Sequence, residues 1–120
     1  QWGAFGAPDG LFSAQEDTYG IHGGDSETSL MRAFRPETVD MAAAQDFRSS
    51  AETSAISPIG PISYGWIASD LSESGVVGEA HLATAEKGRA LAAHQAQGCI
   101  TLARKMVETA PPSAPAQRPV

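Results

Sequence analysis

The chain has 120 residues, enough for one domain whose core removes roughly two-thirds of the unfolded surface from water. A hydrophobic share of 42% against 18% charged residues belongs to a globular chain and not to a disordered one. The net charge of −6, with no basic stripe, argues against a nucleic-acid partner; a single cysteine, Cys99, rules out an internal disulfide; and no apolar run reaches membrane-spanning length. The cytoplasm is the default compartment for such a chain.

The first residues, Gln1-Trp2-Gly3-Ala4-Phe5-Gly6, carry neither an initiator Met nor a signal-peptide pattern. Trp2 and Phe5 read as the end of a strand entering a glycine-rich loop, as if the chain began inside a fold, like a fragment or a processed subunit. Residues 3–12 are loop, with Gly3, Gly6, Pro8, Asp9 and Gly10 as turn formers and Leu11 and Phe12 as anchors. Ser13 caps a short helical turn through Gln15, Glu16 and Asp17, with Glu16 completing a capping box.

The stretch from Tyr19 to Phe34 organises the rest. It reads as a loop running into a helix that ends near Arg35, because Pro36 cannot continue it regularly. Leu30, Met31 and Phe34 recur at helical spacing and mark a core-facing side, and Glu27 falls on that same side. Asp25 or Ser26 caps the helix, and the acidic first turn suits the positive end of its dipole. Gly23 and Gly24 permit positive φ and let a ligand approach the backbone closely. His22 is thereby held beside free N–H groups and one turn from an inward carboxylate, a position suited to proton transfer. The plainer alternative is a surface histidine and an ion-paired glutamate.

Residues 36–40 form a turn that opens a brief helical segment over 41–44. Residues 48–62, rich in Ser, Pro and Gly, are a surface connection with no helix of its own. Residues 62–67 alternate and carry aromatics, as a short strand or extended segment does, with Trp66 either lining a pocket or anchoring a core. Residues 70–78 are turn-rich, with Val76 and Val77 buried between Gly75 and Gly78. The last helix runs from about Ala85 to Glu108 behind the N-cap Thr84. Its stripe is Leu91, Ala92, Cys99, Leu102 and Met106; His94 lies off it, solvated or facing another subunit, and His81 precedes the helix without an evident partner. Gly88 and Gly98 weaken the helix by about 1 kcal/mol each relative to Ala, and close approach of a neighbouring element is their use. Four prolines then make residues 109–120 an extended, disordered tail behind a folded unit of residues 1–108.

Three segments together resemble the creatininase (creatinine amidohydrolase) family. They are His22-Gly23-Gly24-Asp25-Ser26-Glu27-Thr28-Ser29 with the following Pro36-Glu37-Thr38-Val39, then Gly65-Trp66 through Gly75-Val76-Val77-Gly78, and Ala83-Thr84-Ala85-Glu86-Lys87-Gly88. Order and spacing agree over roughly residues 1–108. The resemblance implies an α/β chain, the C-terminal portion of a three-layer α/β/α fold. It also implies metal-dependent hydrolysis of a C–N amide bond, with Zn or Mn held by Glu-x-His-Gly and Asn-Gly-His motifs. Neither motif occurs here, so the metal ligands are expected from an N-terminal half outside this chain, and the chain alone is expected to bind no metal. The acid/base role of the family's histidine carries over to His22, with Glu27 orienting it or a metal ligand. Thr18 and Tyr19 stand where the family has a tryptophan and an aspartate that hold substrate, which leaves open which small amide, cyclic or open-chain, is cleaved. Thr18, Tyr19, Gly23, Gly24 and Trp66 are the expected substrate contacts, and a homo-oligomer the expected assembly. Two other readings remain: a truncated, non-catalytic assembly or binding fragment of the same fold, and an unrelated module that holds an anion at the His-Gly-Gly loop.

Overall fold

The computed structural model describes residues 2–109. Its helices are α1 (Ala14–Tyr19), α2 (Asp25–Phe34), α3 (Ala68–Leu71) and α4 (Ala85–Glu108). Tight 3-10 turns at Trp2–Phe5, Pro36–Thr38, Ser50–Thr53 and Ala80–Leu82 connect them. Extended pairing among the described residues is limited to isolated bridges, in which Val77 and Gly78 lie between His22–Gly23 and Phe47. The chain is thus mostly helical with little strand, and a three-layer arrangement is not seen within these residues. The proline-rich tail from residue 110 lies outside the described residues, while Thr109 closes α4 by donating its N–H to the Lys105 carbonyl at 3.0 Å.

The molecule is built on the crossing of α2 and α4, its most extensive contact between elements. α4 starts as the sequence indicates: Thr84 is the N-cap, and its hydroxyl accepts the Lys87 N–H at 3.1 Å. Gly88 lets the two helices touch backbone to backbone, since a Cβ there would overlap the Ser29 carbonyl and lie 2.9 Å from the Ala33 Cβ. Gly98 does the same for the Phe5 ring, which a Cβ would meet at 2.7 Å. The close-approach role of both glycines is borne out.

The buried faces differ from those that apolar periodicity indicates. On α2 the buried residues are Asp25 and Ser29, while Met31 and Phe34 are exposed and Leu30 is half-buried. The reason is an ion-paired clamp. Asp25 is fully buried and pairs with the Lys87 ammonium, which also donates to the Leu82 carbonyl at 3.1 Å. Ser29 Oγ donates to Asp25 Oδ1 at 2.9 Å and accepts the Thr84 N–H at 3.0 Å, and Arg32 donates to the Ala83 carbonyl. A carboxylate so enclosed is tolerated because it is paired and hydrogen-bonded. On α4 the buried residues are Gly88, Leu91 and Gln95; Cys99, Leu102 and Met106 are exposed, because no described element covers the helix beyond Gly98. His94 is exposed, yet its Nε2 lies 3.1 Å from the Phe5 carbonyl.

Other local expectations change in the same way. Trp2–Phe5 is a 3-10 turn and not a strand, closed by the Gly6 N–H donating to the Gly3 carbonyl at 3.0 Å. Residues 41–44 make turns without a helix. Residues 48–62 do hold a 3-10 turn, capped by Ser49 with Glu52. Residues 62–67 join no bridge, and Ile62, Tyr64 and Ile67 are exposed; alternation makes a strand only where a neighbouring strand supplies the ladder. Val77, by contrast, is fully buried, and Val76 is half-buried.

Candidate functional site

The site is assembled where α2 begins. The backbone of His22 is fixed by exchange with Val77: His22 N donates to Val77 O at 3.2 Å and Val77 N to His22 O at 2.7 Å, with Ile21 N also donating to Val77 O at 3.0 Å. The chain then turns at Gly23, whose φ of 67° is the left-handed region that favours glycine. Gly24 is the N-cap of α2 in place of the expected Asp25 or Ser26; it has no capping side chain, and its carbonyl accepts the Thr28 N–H at 3.0 Å. Thr28 Oγ1 closes the turn by donating to the Gly23 carbonyl at 2.9 Å.

Glu27 faces outward, correcting the inward orientation that its spacing suggests. Its Oε2 accepts the Gly23 N–H at 2.5 Å and lies 3.8 Å from His22 Nδ1. The two side chains are 60% and 58% exposed, so solvent reaches the pair. At 3.8 Å the imidazole and carboxylate form an ion-pair contact when the ring is protonated, but not a hydrogen bond. The arrangement can hold, orient and exchange a proton at the surface.

Gly23, Glu27, Thr28, Thr38 and Asp40 are the polar part of an open cavity of 640 Å³ whose apolar wall includes Leu30, Met31, Val39, Phe47 and Val76. The apolar side of α2 therefore faces a cavity where the sequence suggests a core. Thr18 and Tyr19 border a separate cavity of 230 Å³ beside Glu52 and Pro58. Trp66 lines neither cavity; its indole N–H donates at 2.6 Å to the carbonyl of Pro58, which borders the second one. His22, Gly23 and Glu27 are thus together and Gly24 is buried as a helix start, while Thr18 and Tyr19, at the end of α1, and Trp66, which is hydrogen-bonded to Pro58, lie apart from them.

The described residues do not by themselves fit a metal ion: no group of three or more His, Cys, Asp or Glu side chains is arranged to hold one. Asp25 is committed to Lys87. Glu16 is committed to backbone N–H groups, and sequence reasoning missed its importance. Ser13 does cap α1, accepting the Glu16 N–H at 2.9 Å, but the Glu16 carboxyl does not return to form a capping box. It turns inward to meet Ser26 and Glu79.

The profile of the creatininase family, described as creatinine amidohydrolase, matches residues 1–103. None of the curated proteins matches the chain. Among solved structures, the chain is similar to a candidate creatinine amidohydrolase from Bacteroides fragilis NCTC 9343, with a TM-score of 0.71 and 28% identity. That likeness covers 92% of this chain and 42% of the other, so the chain spans less than half the length of that protein. The described residues include no helix long and apolar enough to cross a membrane. With the family profile matched over most of its length, the chain belongs to the creatininase family.

Proposed function

We propose that the protein carrying this chain hydrolyses the C–N bond of a small amide. In this reading His22 delivers a proton to the leaving nitrogen, and Glu27 orients the imidazole through Nδ1. The observation that carries it is the exposed His22–Glu27 pair on the rim of α2, next to an open cavity, in a chain of an amidohydrolase family. The cavity's apolar wall suits the body of a small amide, and Gly23 and Thr28 give it a polar edge. Divalent metal, zinc or manganese, belongs to this reading through the family, with ligands from outside this chain. On the same grounds the chain by itself is inactive. A homo-oligomer in the cytoplasm, with no nucleic-acid or membrane partner, is part of the same proposal.

The test is His22→Ala in the intact protein, assayed against a panel of small amides. Loss of a general acid/base lowers kcat by roughly 10²–10⁴-fold. Metal content stays the same, and stability moves by no more than about 0.5 kcal/mol, because the side chain is mostly exposed. An emptied metal site would make His22 a ligand instead. A lower melting temperature with turnover per folded molecule intact would make it structural.

A further inference from the structure

Glu16 is 3% exposed and takes part in none of the ion pairs formed among the described residues. Its carboxyl instead accepts two backbone N–H groups, from Ser26 to Oε1 at 3.1 Å and from Glu79 to Oε2 at 2.8 Å. Three glycines close around it. A Cβ on Gly78 would lie 2.6 Å from Oε2, one on Gly24 2.7 Å from the same atom, and one on Gly20 would overlap the carboxyl itself. Burying a carboxyl without a cation is costly, and an apolar residue would fill a simple core position at no such cost.

What the carboxyl holds is the frame of His22. The loop from Gly20 to Ser26 is tied to Glu16 at both ends: the Gly20 N–H donates to the Glu16 carbonyl at 2.7 Å, and the Ser26 N–H to its side chain. The opposing segment, whose Val77 exchanges backbone hydrogen bonds with His22, is tied two residues later through Glu79. Gly24 offers α2 no capping side chain, and Glu16 supplies that acceptor from another helix, at the positive end of the α2 dipole.

We propose that Glu16 is a positioning residue for the site: it fixes the height and direction of the His22 loop from beneath, without contacting substrate. The inference rests on the amide-hydrolysis reading for its kinetic consequence and on geometry alone for its structural one. The test is Glu16→Gln in the intact protein, which keeps the shape but turns an NH₂ toward an N–H donor. Glu16→Asp, which keeps both acceptors on a stem too short to reach both donors, serves if the first variant does not fold. In the folded variant kcat falls at least ten-fold with KM within two-fold of wild type. The His22 ring and Gly23 amide NMR resonances shift together. A folded variant with unchanged kcat and unchanged His22 and Gly23 resonances overturns the proposal, as does a lowered melting temperature with activity per folded molecule intact. Should the wild-type protein hydrolyse no amide, the functional reading fails, while the resonances still decide what Glu16 does.

Discussion

Replacing Gly88 by Ala tests the packing at the centre of the molecule. In an exposed helix the change is favourable by about 1 kcal/mol, because alanine is the better helix former. Here the added Cβ overlaps the Ser29 carbonyl and lies 2.9 Å from the Ala33 Cβ, so α4 has to withdraw from α2 by an ångström or more. Withdrawal stretches the Thr84 N–H to Ser29 Oγ bond, worth about 1 kcal/mol. It also pulls Lys87 from the buried Asp25, and losing one partner of such a pair costs about 3–5 kcal/mol. Partial relaxation keeps some of the pair, so the expected net loss is about 2–4 kcal/mol. Gly98→Ala is the control: the helix and the propensity gain are the same, but the Cβ meets the Phe5 ring, a side chain that can turn aside. Its overpacking cost of about 1–3 kcal/mol is partly offset by the propensity gain. Urea unfolding of both variants gives the two numbers. A stabilised Gly88→Ala, or one indistinguishable from Gly98→Ala, would refute the backbone-contact account of this crossing.

Lys87→Met, which keeps length and removes charge, should cost about 3 kcal/mol in the same unfolding assay, because among the described residues Asp25 is left buried with Ser29 Oγ as its remaining side-chain partner. Leu91→Ala should cost about 2–5 kcal/mol and Leu102→Ala under about 0.5 kcal/mol, the first being buried and the second nearly half exposed. Equal losses would mean that the second half of α4 is covered. The Arg35 side chain, hydrogen-bonded to Glu37, holds the Glu37 carboxyl below the usual range. A depressed folded-state value gives stability above the unfolded value that is lost as pH falls through the folded one. An NMR titration should therefore show Glu37 titrating below a typical glutamate and returning toward it in Arg35→Ala.

The sequence made the ends of elements legible more reliably than their faces. Thr84 as N-cap, the bounds of α4, Ser13 as the start of α1 and buried Val77 all follow from chemistry within a few residues. The faces depend on partners far away. Leu30, Met31 and Phe34 have the spacing of a core stripe, yet α2 is held by Asp25 across 62 positions to Lys87, and such a pair leaves no periodic trace. Cys99, Leu102 and Met106 continue the apolar period of α4 beyond the point where any described neighbour meets it. At the candidate site the His22–Glu27 proximity was legible from spacing and from the family's motif. The outward turn of Glu27 and the inward turn of Glu16 were not. Both follow from which N–H groups α2 leaves open at its first turn, and that is settled only when the loops at 20–24 and 76–79 meet.

The bare half of α4 gives one helix two different lifetimes. From Ala85 to Gly98 the hydrogen-bond ladder is backed by α2 and by Phe5, so opening it requires breaking the fold. Beyond Gly98 the ten residues up to Glu108 are all exposed, and ten residues is short of what a solitary helix needs to persist in water. They stay helical by propagation from the anchored turns. Deuterium uptake along α4 should therefore rise steeply across Gly98, with the early amides exchanging only through global unfolding and the late ones through end fraying. Cys99, the sole thiol in the chain, sits at that boundary, where its rate of modification would report when the helix begins to unwind.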